Sequence, residues 1–144
     1  MTVILIKDPL DLSRCYPAFL ELRPHLQSEE SFIKQIMQQQ SEGYKIYAIQ
    51  EDDEVVACLG LRILTMLAWG KILYIDDLIT RAAVRGKGYG SLLIKHAIKL
   101  AHELNCDQVH LDSGYIRHAA HRLYINNGFE FNCHHLALKI KHHC

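Results

Sequence analysis

The run Arg85-Gly86-Lys87-Gly88-Tyr89-Gly90-Ser91 sets three glycines on alternate positions, interleaves cations, and leads straight into LLIKHAIKLAHEL. In that second segment Leu93, Ala97, Leu100, Ala101 and Leu104 recur at helical spacing, and the segment ILYIDDLIT ahead of the glycines reads as a strand. Strand, bare turn and helix in that order belong to an α/β chain. Glycines let the backbone aim its amide N–H groups at one point, and a helix N-terminus behind them adds partial positive charge. Such a nest binds a phosphate or pyrophosphate, and Arg85 and Lys87 suit that ligand. The same residues also suit an ordinary tight turn with solvated cations, so the loop alone leaves both readings open.

Two familiar phosphate loops do not fit. A P-loop requires Gly-x-x-x-x-Gly-Lys-Ser/Thr, whereas Lys87 is followed by Gly88. A dinucleotide fingerprint needs Gly-x-Gly-x-x-Gly almost directly after its strand; here RAAVR separates Thr80 from Gly86 and the third glycine comes one position early. Asp112 alone stands about where a ribose-binding acid belongs.

The rest of the chain frames this core. At 144 residues, 49% of them hydrophobic, it has the length of one domain spanning 1–144 and no linker, repeat or low-complexity tract. Thr2 to Lys7 reads as a strand; Asp8-Pro9 starts a helix that Pro17 and Pro24 are expected to kink or divide. Ser28 starts a second helix, with Phe32, Ile33, Ile36 and Met37 on one face and Gly43 at its end. Tyr44 to Gln50 and Val55 to Leu64 form a hairpin about the acidic turn Glu51 to Glu54. Beyond the glycine helix come a strand at Asp107 to Asp112, a helix at Ile116 to Asn127 closed by Gly128, and a terminal strand at Phe129 to Ile140. The order βααβββαβαβ implies a mixed sheet with helices on both faces.

Composition narrows the partners. Sixteen cationic residues balance sixteen anionic ones, which gives no pull toward nucleic acid or a membrane surface. The N-terminal apolar run Val3 to Ile6 is too short for a signal peptide, and no run reaches spanning length. Five dispersed cysteines without a Cys-x-x-Cys pair read as reduced thiols of a cytoplasmic protein. The ten histidines, His118 and His121 among them, match no zinc signature, so no metal is expected.

With these features in order, the chain resembles the GNAT superfamily of acetyl-CoA-dependent N-acetyltransferases. That family's pyrophosphate loop, Arg/Gln-x-x-Gly-x-Gly/Ala, is matched by Arg85, Gly88 and Gly90 after a strand like YIDDLIT. Its later Tyr-x-x-x-Gly-Phe is matched by Tyr124, Gly128 and Phe129, with Ala120 and Leu123 at the preceding positions. The match runs from about Val55 to the end, while the first fifty residues agree only in element type. The resemblance implies a GNAT-like, mostly antiparallel mixed sheet and acetyl-CoA on Arg85, Gly86, Lys87, Gly88, Tyr89, Gly90 and Ser91. It lays the cofactor's amide-bearing arm along the backbone of Leu78, Ile79 and Thr80. A bulge where this strand parts from the Asp107 to Asp112 strand would free N–H groups for the thioester carbonyl.

Acyl transfer to an amine needs a neutral nucleophile and a proton for the leaving thiolate. Asp76 and Asp77 precede the loop, and strand alternation points them to opposite faces. The family often carries a glutamate at the place of Asp76, which implies a base or an anchor for the acceptor's ammonium; a satisfied polar pair at a bulge is the other use of two such acids. Tyr124 resembles the tyrosine that protonates the CoA thiolate, and packing on the helix's apolar edge is its structural use. Many members carry asparagine where this chain has Arg117, so Arg117 joins the cofactor-binding set by analogy with an Arg-bearing variant of the motif. Met66 to Trp69 either lines the acceptor cleft or buries itself in a homodimer. The implied function is direct transfer from acetyl-CoA to an amine of a small molecule or protein, with a non-catalytic acyl-CoA-binding module as the alternative.

Overall fold

The computed structural model describes residues 2–113 and 118–141. Their contacts divide them into two compact units, one up to Leu111 and one from Asp112 on. The first holds β1 (Val3–Ile6), α1 (Pro9–Leu22), α2 (Glu29–Ser41), β2 (Lys45–Glu51), β3 (Glu54–Met66), β4 (Gly70–Thr80), α3 (Tyr89–Glu103) and β5 (Gln108–Leu111). The strands lie in the order β1-β2-β3-β4-β5; the first three pairings are antiparallel and β4–β5 is parallel. This is the mixed, mostly antiparallel sheet that the sequence implies.

Each element starts where local chemistry favours it. Asp8 stands at the N-cap of α1 with Pro9 just inside, and the Ser28 hydroxyl accepts the Ser31 N–H at the start of α2. Pro17 sits inside α1 without dividing it, and Pro24 falls just beyond its end. The β2–β3 turn is two residues long; Asp52 and Asp53 both take positive φ, 52° and 65°, the left-handed pair that a tight hairpin requires.

Alternation along β2 sorts the helices to two faces. Ile46 and Ala48 are buried in a cluster with Leu12, Cys15 and Phe19 of α1 and Phe32 and Ile36 of α2. Tyr47, between them, points the other way, and its ring lies 4.6 Å from that of His96 on α3. The α3 face itself buries Leu93, Ile94, Ala97 and Ala101. Helices therefore cover both faces of the sheet.

β4 changes neighbours halfway along. Its pairing with β5 runs only from Ile72 to Ile75, and in the β3 ladder Gly60 faces Asp77 while Leu61 faces Ile75. Asp76 is thus an extra, bulged residue one position past the last β4–β5 pair. From there to Thr80 the strand has β3 on one side and no strand on the other among the described residues. The expected bulge is present at the parting of the strands.

The second unit contains α4 (His118–Asn126). Gly128 follows it at φ 92°, the left-handed turn expected past a helix end. The terminal strand expected at Phe129 to Ile140 is not formed: 129–141 takes no regular structure, and Phe131, Leu136, Leu138 and Ile140 are exposed. A strand needs a neighbour to satisfy its backbone, and this unit offers only a helix among its described residues. Nor does any described helix have the length and apolar character to cross a membrane.

Candidate active site

The glycine turn is built almost wholly from backbone. Gly86 and Gly88 take φ of 90° and 83°, and a side chain carbon added to either would meet nothing within 4 Å, so the left-handed backbone and the space in front of it are both available. Gly88 is the N-cap of α3, without a side-chain cap. The first helical bond is made by the Leu92 N–H to the Gly88 carbonyl at 3.0 Å. The amides of Tyr89, Gly90 and Ser91 therefore precede the helical ladder and sit at the positive end of a 15-residue helix. Residues expected in the loop, Tyr89 to Ser91, are its helical first turn. The arrangement fits a pyrophosphate.

Side chains of the same run are anchored to neighbouring elements. The Lys87 ammonium bonds both Glu51 oxygens, at 3.0 and 3.2 Å, and the Tyr89 hydroxyl donates to the same carboxylate. Those two donors hold the Glu51 carboxyl below its ordinary range. Arg85 reaches back to the Thr80 carbonyl at 3.5 Å. Upstream, Glu21 of α1 accepts the Ala82 N–H at 2.9 Å and Arg81 Nε at 2.8 Å, which depresses its pKa in that order of cause. The turn is thus tied to the β2–β3 hairpin through Glu51 and to α1 through Glu21.

Around the bulge the site is made of side chains. Arg62 grips Asp76 with two nitrogens, Nε at 3.0 Å from Oδ1 and the second on Oδ2. Asp77 accepts the Tyr44 hydroxyl at 2.6 Å on Oδ2 and two Arg23 nitrogens, at 2.9 and 3.2 Å, on Oδ1. Arg23 also donates to the Asp76 carbonyl at 3.1 Å. Strand alternation predicts opposite faces for the two acids; the bulge brings Asp76 to Arg62 and leaves Asp77 opposite Gly60, two β3 residues that share a face. Gly60 is required here, because a side chain carbon at that position would fall on the Tyr44 hydroxyl and ring. Burial pushes the Asp76 carboxyl above its usual value against the opposing pull of Arg62. Burial, and then the Asp77 charge, hold the Tyr44 phenol well above 10.

Leu78, Ile79 and Thr80 continue β4 from this cluster toward the glycine turn. Tyr124 belongs to the second unit, where it is buried on α4 with its ring 5.9 Å from Phe129, edge to face. Its carbonyl accepts the N–H groups of Asn127 at 3.0 Å and Phe129 at 3.1 Å, which closes the helix through the Tyr-x-x-x-Gly-Phe motif. Arg117 lies outside the described residues. Arg23, Tyr44, Arg62, Glu21 and Glu51 escaped the sequence reading. Gly60, a lone glycine within VVACLGLRIL, was the one local sign of a close approach.

Comparison with known proteins agrees with this geometry. The model of the Acetyltransferase (GNAT) family matches residues 11–129. The uncharacterized N-acetyltransferase YhdJ of Bacillus subtilis (strain 168) is 35% identical over 109 residues, 76% of this chain and 77% of that protein. Two solved structures share the fold: a transcriptional regulator from Bacillus halodurans C-125 (TM-score 0.85, 21% identity, 96% of this chain and 99% of that one) and a ribosomal-protein-alanine N-acetyltransferase from Brucella melitensis biovar Abortus 2308 (TM-score 0.84, 14% identity, 97% and 100%). At those identities they speak for the fold alone. The family match across most of the chain and the relative at 35% identity show that this protein belongs to the GNAT acetyltransferase family and is an N-acetyltransferase.

Proposed function

We propose that this N-acetyltransferase moves the acetyl group of acetyl-CoA to a primary amine by direct attack in a ternary complex. The observation that carries the reading is the uncapped start of α3 behind two left-handed glycines, which suits the cofactor's pyrophosphate. From that end the thiol-bearing arm follows Leu78, Ile79 and Thr80, so the acyl group falls near the bulge at Asp76. The cofactor supplies the acyl group as an activated thioester.

The chain's own residues handle the protons. An alkyl amine with a pKa near 10.4 is mostly protonated at neutral pH, so a proton acceptor beside it raises the reactive fraction. Asp76 is that acceptor: its two bonds to Arg62 leave lone pairs for a water, and burial raises its basicity. As the new C–N bond forms, the C–S bond breaks with its electron pair on sulfur. The nitrogen's proton passes through water to Asp76, and Tyr124 gives its phenolic proton to the thiolate. Tyr124 takes this role from its motif. Asp77 holds Tyr44 and Arg23 in place, and backbone N–H groups at the strand parting polarise the acyl carbonyl.

Thiol release from acetyl-CoA across a panel of amines tests the reading. Acceptor-dependent release is expected, with Asp76→Asn slower by on the order of 10²-fold and its cofactor affinity unchanged. Cofactor binding without release on any amine would reject the proposed reaction.

A further inference from the structure

The two ion pairs at the bulge share an asymmetry. In each, the acid is the less exposed partner and the arginine the more exposed one: Asp77 is 14% exposed against 42% for Arg23, and Asp76 is 17% against 30% for Arg62. A cluster with no net charge therefore turns its negative side inward and its guanidinium edges outward. Each guanidinium is pinned to its acid along the edge formed by Nε and one terminal nitrogen. The second terminal nitrogen, Nη1, of each makes no hydrogen bond among the described residues; Arg62 keeps its whole Nη1–Nη2 edge vacant, while in Arg23 Nη2 is also engaged by the Asp76 carbonyl. Arg23 is held further by the Asp76 carbonyl, so its direction is fixed before any ligand arrives. A planar, immobilised fork with a vacant edge is the donor geometry that matches a carboxylate.

We infer that the acceptor is an amine that also carries a carboxylate, and that Arg23 and Arg62 form the subsite for that carboxylate. The inference rests on the acetyl-transfer reading only for its placement beside the acyl group. A polyamine or a lysine-rich tail would meet two guanidiniums there, with each carboxylate's charge already paired with one of them. An acceptor with one amine and one carboxylate puts the anion on the arginines and leaves the amine to the bulge. A free amino acid supplies that pair of groups, and so does a peptide whose acidic side chain lies near its N-terminal amine.

Calorimetric titration of the CoA-loaded protein tests this without turnover. The probes are 6-aminohexanoate and hexylamine, which differ by the carboxylate alone, and the dipeptide amide Gly-Glu-NH2, whose one carboxylate is a side chain. The expected result is that 6-aminohexanoate binds at least about tenfold more tightly than hexylamine. The dipeptide amide binding more tightly than 6-aminohexanoate would assign the subsite to peptides, and the reverse to free amino acids; both uphold it. Arg23→Gln should erase the preference while CoA affinity stays unchanged, and Arg23→Lys should restore part of it. Should Arg23→Gln fail to fold, Arg62→Gln provides the same reading. Equal or tighter binding of hexylamine, binding of no probe, or a preference that survives substitution of both arginines would overturn the inference. Thiol release measured separately keeps the two questions apart. Carboxylate binding without transfer would retain the subsite and reject the reaction, and transfer to carboxylate-free amines with equal efficiency would do the opposite.

Discussion

The two ends of the β4 path are built from different materials. The glycine turn presents amides from consecutive residues, and its side chains point away to Glu51 and Thr80. The bulge presents side chains from α1's C-cap, the residue before β2, the middle of β3 and β4 itself: Arg23, Tyr44, Arg62, Asp76 and Asp77. Backbone amides are the same in every sequence, so the first site can hold a constant ligand while its side chains vary. The second site is its side chains, and a few substitutions would change what it recognises. One fold can thereby keep one cofactor and change acceptors.

The sharpest way to break this contrast is to put a charge where the proposed binding relies on backbone. Gly88→Glu should abolish measurable acetyl-CoA binding by calorimetry, because a carboxylate would enter the nest. Gly88→Ala is the control, since it carries the cost of a positive φ, about 1 kcal/mol, without the charge. If both variants bind as the parent does, the pyrophosphate does not sit there. If both fail equally, backbone geometry and not charge is decisive.

How well each region could be read from the sequence follows from the same contrast. Gly86, Gly88 and the helical period after them lie within a few residues of one another, so local spacing revealed the turn, though α3 begins at Tyr89 inside the expected loop. At the bulge the partners stand far apart in the chain: Arg62–Asp76 by 14 residues, Tyr44–Asp77 by 33, Arg23–Asp77 by 54. No periodicity reports such pairings. Alternation even misplaced one acid, since a single extra residue reverses the rule downstream. The C-terminal segment failed differently: its alternating Leu136, Leu138 and Ile140 describe a strand face, but pairing depends on a partner that the pattern does not contain.

Tyr124 asks whether the chemistry depends on a residue outside both regions. Tyr124→Phe keeps the ring and its edge contact with Phe129, so acetyl-CoA affinity should hold. Turnover should fall by on the order of 10²-fold, equally in kcat and kcat/KM, the mark of an interaction made only in the transition state. A structural tyrosine would instead leave turnover near that of the parent.

Tyr44→Phe tests the side-chain region alone. It removes the donor to Asp77 Oδ2 and leaves the Arg23 bonds, at an expected cost of about 1–3 kcal/mol in urea unfolding. Binding of CoA should be unchanged, and acceptor KM should rise as Asp77, which orients Arg23, loses its second support. A variant with weaker CoA binding and unaltered acceptor KM would show that the two regions are coupled more tightly than their construction implies.

The smallest expected effect concerns the scaffold of the backbone region. The His96 ring on α3 lies tilted against that of Tyr47, and its Nε2 is buried without a hydrogen-bond partner among the described residues. Burial, followed by the nearby Lys99, lowers its pKa below 6.5, while Glu103 pulls the other way. The sign follows from which state binds the proton. Above pH 6.5 the ring is neutral in both folded and unfolded chains, and its packing contributes fully. As the pH falls below that value the unfolded chain takes up a proton that the folded one resists, so stability is lost down to the folded-state pKa and then levels off. The slope cannot exceed one proton, about 1.4 kcal/mol per pH unit. His96→Phe keeps a ring beside Tyr47 and has nothing to protonate, so its urea midpoint should fall less than the parent's between pH 7.5 and pH 5. Because His96 stands on the helix whose first turn forms the nest, acetyl-CoA affinity in the parent should weaken along with stability over that interval, and the variant should be spared. Identical pH profiles for the two proteins would mean that the imidazole is hydrated in solution and that α3 holds the nest without regard to its charge.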